Sequence, residues 1–289
     1  MKKFLALTLS LAMALSLAAC GGSGSGSASS APAASSAPAA SSGVSSSAGD
    51  AGSSTGSTST PAELTTVEAG KLIMSTNAAF PPYEMTDDSG NVVGIDAEIA
   101  GAIADKLGLE LVIDDMDFDA AQLAVQQGKS DICMAGLSVT EDRLLVMDFS
   151  DSYATGIQVV IVPEGSDVTL DNLGEQLIGT QRATTGNIYC TDDYGEDHVI
   201  AYDDGIVAVQ DLLNGKVDAV VIDKAPAQEF VAANPGLVIL DTEYANEDYA
   251  IGVAKGNTAL VDAVNGALAE LTADGTIQSI IEKYIPAEG

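Results

Sequence analysis

The sequence predicts an α/β fold of two similar lobes. Apolar strands alternate with helices from about residue 70 to the end, a rhythm that implies parallel sheet covered by helices. One unit also occurs twice: a helix, a Gly stop, Lys-x-Asp, then a wholly apolar strand. The first copy is Ala124-Val125-Gln126-Gln127-Gly128-Lys129-Ser130-Asp131 followed by Ile132-Cys133-Met134-Ala135. The second runs from Ala208 through Gly215-Lys216-Val217-Asp218 into Ala219-Val220-Val221-Ile222. Two Rossmann-like lobes account for both features.

The elements read as follows. Leu72-Ile73-Met74 is the first strand. Asp96 is the N-cap of a helix to Leu107, stopped by Gly108. Leu109 to Asp114 is a strand, and Asp119 caps a helix to Gln127, stopped by Gly128. Leu177-Ile178-Gly179-Thr180 is a short strand, after which Gln181-Arg182-Ala183-Thr184-Thr185-Gly186 turns into a helix. Leu260, Val261, Val264, Leu268 and Leu271 follow helical spacing, as do Ile277, Ile280, Ile281 and Tyr284, so both stripes read as core.

The N-terminus reads as a targeting segment. Met1-Lys2-Lys3 is a positive n-region, and Phe4 to Leu15 is an apolar run too short to span a bilayer comfortably. Leu17-Ala18-Ala19-Cys20 resembles the lipobox of bacterial lipoproteins, which implies residues 1–20 as a lipoprotein signal peptide and Cys20 as the lipidated residue. Two acyl chains on one residue suffice for stable anchoring. Residues 21–63 are nearly all Ser, Gly, Ala, Thr and Pro, a composition that cannot bury enough surface to fold. Such a tether spans about 35 Å root-mean-square.

Forty-two acids face 11 bases, for a formal charge of −31. With no basic stripe to displace phosphate counterions, a nucleic-acid partner is disfavoured. Cys133 and Cys190 read as unpaired buried thiols, and no Cys/His spacing suggests a metal. Asp115-x-Asp117-x-Asp119 begins like a calcium loop, but Ala120 stands where the loop needs Gly, and Gln126 where it needs Glu. Asp192-Asp193, Glu196-Asp197 and Asp203-Asp204 read as a solvated acidic face. Glu84 reads as a surface carboxylate.

Against that background Arg143, one of two arginines, is informative. It follows a buried strand that ends in small residues, Ala135-Gly136-Leu137-Ser138, and a turn capped by Thr140. A planar five-donor fork suits two-point capture of a carboxylate. Solutes of open α/β sheets bind beyond the carboxyl ends of the strands. Asp223 directly follows the second repeated strand, so Arg143 and Asp223 are expected to face one cleft from opposite walls, an arrangement suited to a zwitterion. Thr184 and Thr185 open a helix whose first amides lack internal partners and attract anions.

At this point the chain resembles the extracytoplasmic amino-acid-binding proteins of ABC importers, with the type-two periplasmic-binding fold. The matching segments are Asn77-Ala78-Ala79-Phe80-Pro81-Pro82-Tyr83-Glu84, Gly94-Ile95-Asp96, Phe118-Asp119, Ala135 to Arg143, Met147 to Tyr153, Thr184-Thr185-Gly186, Asp218 to Asp223, and Ala273-Asp274-Gly275-Thr276 with Tyr284. The resemblance implies that Arg143, helped by Ser138, grips the α-carboxylate together with Thr184 and Thr185. It implies that Asp223 takes the α-ammonium, with the Gly136 carbonyl and Ser138 alongside. Phe80 and Phe118 would wall the side-chain pocket, lined also by Asn77, Gln181 and Ala135. Members that take cationic amino acids often carry Asp where this chain has Asn77, so a neutral polar amino acid is expected. The implied lobes are 64–157 plus 250–289, and 158–249, hinged near Gln158 to Val162 and Tyr249 to Val253.

The implied protein is a monomer without cofactor or metal. It is tethered to the outer face of the membrane, with a Gram-positive surface favoured, and delivers its solute to a membrane permease. Two rivals share the scaffold. A cyclohexadienyl or arogenate dehydratase needs a positioned acid or base in the cleft, whereas the sole histidine, His198, lies in the acidic stretch. A ligand-sensing module is the other.

Overall fold

The computed structural model describes residues 64–286; the lipobox with Cys20 and the Ser/Gly/Ala segment lie outside them. The first half runs β1 (Lys71–Thr76), β2 (Ala79–Phe80), β3 (Glu84–Thr86), β4 (Val92–Val93), α1 (Ile95–Leu107), β5 (Glu110–Asp115), α2 (Phe118–Gln126), β6 (Ile132–Cys133), α3 (Glu141–Val146) and β7 (Met147–Pro163). The second half runs β8 (Ile178–Gln181), α4 (Thr185–Tyr194), β9 (Val199–Tyr202), α5 (Gly205–Leu213), β10 (Ala219–Asp223), α6 (Lys224–Ala233), β11 (Leu237–Ile239), β12 (Ala245–Ala254), α7 (Thr258–Ala273) and α8 (Thr276–Tyr284).

The main sheet has strand order β5-β1-β6-β12-β7-β10-β8-β9, with β11 also on β7. β5-β1-β6 is a parallel block, and so is β10-β8-β9. Between them β7 and β12 pair antiparallel from Ala245↔Gln158 to Ala254↔Met147. Each block has its own core. Leu72, Met74, Ile99, Ile103, Ile132, Leu260, Val264 and Leu268 pack together around the first. Around the second, Val159, Ile161, Val220 and Ile222 face one core, while Val160, Val162, Ala219 and Val221 face another. This period-two alternation buries β10 on both faces, which is why its sequence is continuously apolar.

The repeated unit has a physical basis. Gly128 and Gly215 both adopt φ 66, a left-handed exit that lets the chain turn from helix to strand. The acid that follows holds the edge of a neighbouring strand: Asp131 accepts from the amides of Val67 at 2.7 Å and Ile73 at 2.8 Å, and Asp218 accepts from that of Leu177 at 2.9 Å.

Some local expectations are corrected. Asp96 is not an N-cap; Gly94 holds that position, and Asp96 lies inside α1, fully buried, where its carboxylate accepts from the Gly136 amide and the Tyr153 hydroxyl. Asp119 lies inside α2 and Asp117 precedes that helix. In both cases the capping residue type was right for a helix start, but the chain enters the helix earlier because Ile95 and Phe118 are pulled into the core. β5 begins one residue later than expected. Gly108 ends α1 in the left-handed conformation, as expected. His198 is half-buried, with Nδ1 3.1 Å from the Gln176 carbonyl oxygen.

Candidate functional site

The carboxyl ends of β1, β6, β8 and β10 meet above the β7–β12 pair and border one cavity. All eleven positions singled out for binding lie on it: Asn77, Phe80, Phe118, Ala135, Gly136, Ser138, Arg143, Gln181, Thr184, Thr185 and Asp223. Glu84, Gln158, Ile222, Glu247 and Tyr249 complete the lining.

Arg143 sits in the first turns of α3, positioned by Thr140, whose hydroxyl accepts from the Arg143 amide at 3.2 Å. The side chain is only 6 % exposed. Its guanidinium donates to the Ser138 carbonyl at 2.8 Å and, across the cavity, to the Ala183 carbonyl at 2.9 Å, and it lies 5.5 Å from the centre of the Phe118 ring. Ala183 takes φ 60, a left-handed turn uncommon outside glycine, and so presents its carbonyl. Burial lowers the Arg143 pKa, and the Glu247 charge opposes that shift. The charge is therefore met by carbonyl dipoles, a ring face and the field of Glu247, and Arg143 forms no salt bridge among the described residues.

On the facing wall Asp223 ends β10, 2 % exposed. It accepts a short hydrogen bond from the Tyr249 hydroxyl and a longer one from the Ala225 amide. Burial pushes its pKa up to about 7, against the lowering effect of those bonds. Thr184 caps α4: its hydroxyl accepts from the Asn187 amide at 3.2 Å and donates to the Gln181 carbonyl at 2.7 Å. That hydroxyl is committed to the helix, which leaves the first amides of α4 as the donors there. At the other end Gln181 donates to the Asn77 side-chain oxygen at 2.9 Å, and so the two walls touch.

Residues 72–287 match the family described as bacterial extracellular solute-binding proteins, family 3. The chain belongs to this family. It is similar to a probable histidine-binding protein of Neisseria gonorrhoeae, 31 % identical over 75 % of this chain and 83 % of the relative. It is also similar to the ABC transporter arginine-binding protein 1 of Escherichia coli K12, 30 % identical over 75 % of this chain and 92 % of the relative. Among solved structures it resembles the arginine-, lysine-, histidine-binding protein ArtJ of Geobacillus stearothermophilus. The TM-score is 0.72 and the identity 32 %, over 76 % of this chain and 96 % of that one. As a family 3 solute-binding protein the chain has the type-two periplasmic-binding fold, acts by binding rather than catalysis, and works outside the cytoplasm.

Two carboxylates of this solute-binding protein escaped sequence reasoning. Glu247, on β12, is 8 % exposed; one oxygen accepts from the Ser138 hydroxyl at 2.8 Å and from Gln158 at 3.2 Å, while the other is buried without a hydrogen-bond partner. Because Ser138 donates to Glu247, its lone pairs are what it offers the cavity. Glu84 is the second, and the expectation that it is a surface carboxylate is wrong: it is fully buried beside Asp96. Burial, then the Asp96 charge, push its pKa well above the carboxylate range, while burial takes Asp96 itself to about 6. A Tyr-Glu pair in a polar segment gave no sign that the chain folds inward there. Asp204 also departs from the solvated acidic face, reaching the Asn77 amide at 3.4 Å.

Proposed function

We propose that this protein is the lipid-anchored substrate-binding component of an ABC importer, capturing an L-α-amino acid and delivering it to a membrane permease. The carrying observation is Arg143, buried and in no salt bridge among the described residues, across one cavity from Asp223. A solute carboxylate bound at Arg143 and the α4 amides, with its ammonium at Asp223 and the Ser138 lone pairs, satisfies both groups. Relatives named for arginine, histidine and lysine binding support an amino acid as solute, and one named as an ABC transporter component supports the importer.

In this reading residues 64–157 plus 250–289 form one lobe and 158–249 the other, and β7 and β12 flex between them. The solute meets Arg143 first and Asp223 on closure, so its differential contacts shift the population to the closed form. The monomer is held at the outer membrane face by Cys20, and the tether keeps it close to the permease.

Titration calorimetry against the twenty amino acids tests the reading. At least one should bind, and Arg143→Ala should weaken it by about 30-fold or more, since removing one partner of a buried charge pair costs about 2–5 kcal/mol. Unchanged affinity in that variant would place the carboxylate elsewhere.

A further inference from the structure

The resemblance implies an acid at position 77 in members that take cationic solutes, so Asn77 by itself argues for a neutral one. The opposite wall alters that conclusion. Asp204 occupies the N-cap position of α5, yet its side chain makes no cap bond. Its carboxylate instead reaches Asn77 at the cavity wall, accepting from the side-chain amide at 3.4 Å, a distance that marks a weak bond. The same amide donates to the Met116 carbonyl at 3.1 Å and so has another partner to keep.

The neighbouring acid is already neutralised. Asp203 pairs with Arg182 at 2.8 Å, and Asp117 and Asp119 from the other wall also act on Arg182. Asp204 makes no salt bridge among the described residues. The end of the cavity at Asn77 and Gln181 thus carries surplus negative charge, while Phe80 and Phe118 wall the approach.

We propose that Asp204 is the charge-selecting residue of this site, and that the solute is an α-amino acid whose side chain ends in a cation. This rests on the amino-acid reading above: with the carboxylate on Arg143 and the ammonium at Asp223, the side chain points to Asn77 and Asp204. The counter-ion missing from position 77 is supplied by the opposing lobe. A guanidinium or ammonium replaces the Asn77 amide at Asp204, and selection for charge occurs on closure, when Asp204 arrives. A neutral side chain of the same shape leaves Asp204 with only the weak amide contact.

L-Arginine and L-citrulline, nearly the same shape with and without the charge, separate the possibilities by calorimetry. The full chain should bind arginine about tenfold or more tightly than citrulline. Asp204→Asn, which retains a residue suited to the N-cap position, should reduce that ratio towards one with the unliganded melting temperature unchanged. Citrulline binding as tightly as arginine would overturn the assignment of charge selection alone. So would an Asp204→Asn variant that weakens both solutes equally. Failure of every amino acid to bind would overturn the amino-acid reading, and this inference with it.

Discussion

Asp223 is the side chain through which pH should act on solute binding. Its folded pKa of about 7 stands above the ordinary carboxylate value of about 3.9 because it is buried. The stability it contributes to the unliganded protein is full below pH ~4 and is lost as pH rises towards ~7. Solute binding has the opposite sign, since an ammonium pairs with the ionised form. Affinity should rise about tenfold per pH unit up to ~7 and then level off. Titrations from pH 5 to 8 in buffers of different ionisation enthalpy would show proton release on binding. In Asp223→Asn the slope should vanish along with most of the affinity; wild-type affinity that is flat below pH 7 would contradict the role. Asp223 was legible in the sequence because it ends an apolar strand, where strand direction fixes the side of the sheet, and Arg143 because it is a rare arginine in the short turn that leaves another. Glu247 was not. It sits in Ala245-Asn246-Glu247-Asp248-Tyr249, polar on both faces of the strand, and only the pairing of Gly156 with Glu247 turns one of those polar faces into the site.

At the scale of elements, local devices could be read and long-range pairing could not. The Gly-Lys-x-Asp unit could be recognised twice because its turn chemistry is contained within a few residues. The lengths of β7 and β12 depend instead on each other, across the whole of residues 164–244. Gly156, near the middle of β7, shows what that pairing demands. A Cβ there would strike the Asp223 carboxylate and the Tyr249 hydroxyl, the two groups joined by the short bond. Gly156→Ala should therefore displace Asp223 and weaken solute binding, on the order of tenfold or more if about 1–3 kcal/mol of overpacking strain falls on the site. The clash falls on the ends of two side chains, Asp223 and Tyr249, and not on backbone, so circular dichroism should show unchanged secondary structure. Normal affinity in this variant would mean that Asp223 can move without consequence.

For the whole molecule, the proposed hinge motion implies that closure without a solute is costly. In that reading the closed form holds the Arg143 guanidinium against the Ser138 carbonyl and, from the facing wall, the Ala183 carbonyl, and leaves one Glu247 oxygen without a partner. A buried ion without full compensation costs several kcal/mol, which exceeds what direct contacts such as Gln181 to Asn77 return at about 0.5–1.5 kcal/mol each. Water entering an open cleft relieves both groups. In the proposed reading the carboxylate of a zwitterion compensates Arg143 with the cleft shut, and the solute adds contacts to both walls at once. Small-angle X-ray scattering should accordingly record a smaller radius of gyration when saturating arginine is added. The melting temperature should rise in parallel, because a solute at a hundred times its Kd adds about 2.7 kcal/mol to the native state. A rise in melting temperature with an unchanged radius would separate binding from hinge motion and leave β7 and β12 as rigid struts. Contraction lost in Arg143→Ala but retained in Asp204→Asn would locate the closing force at the carboxylate end.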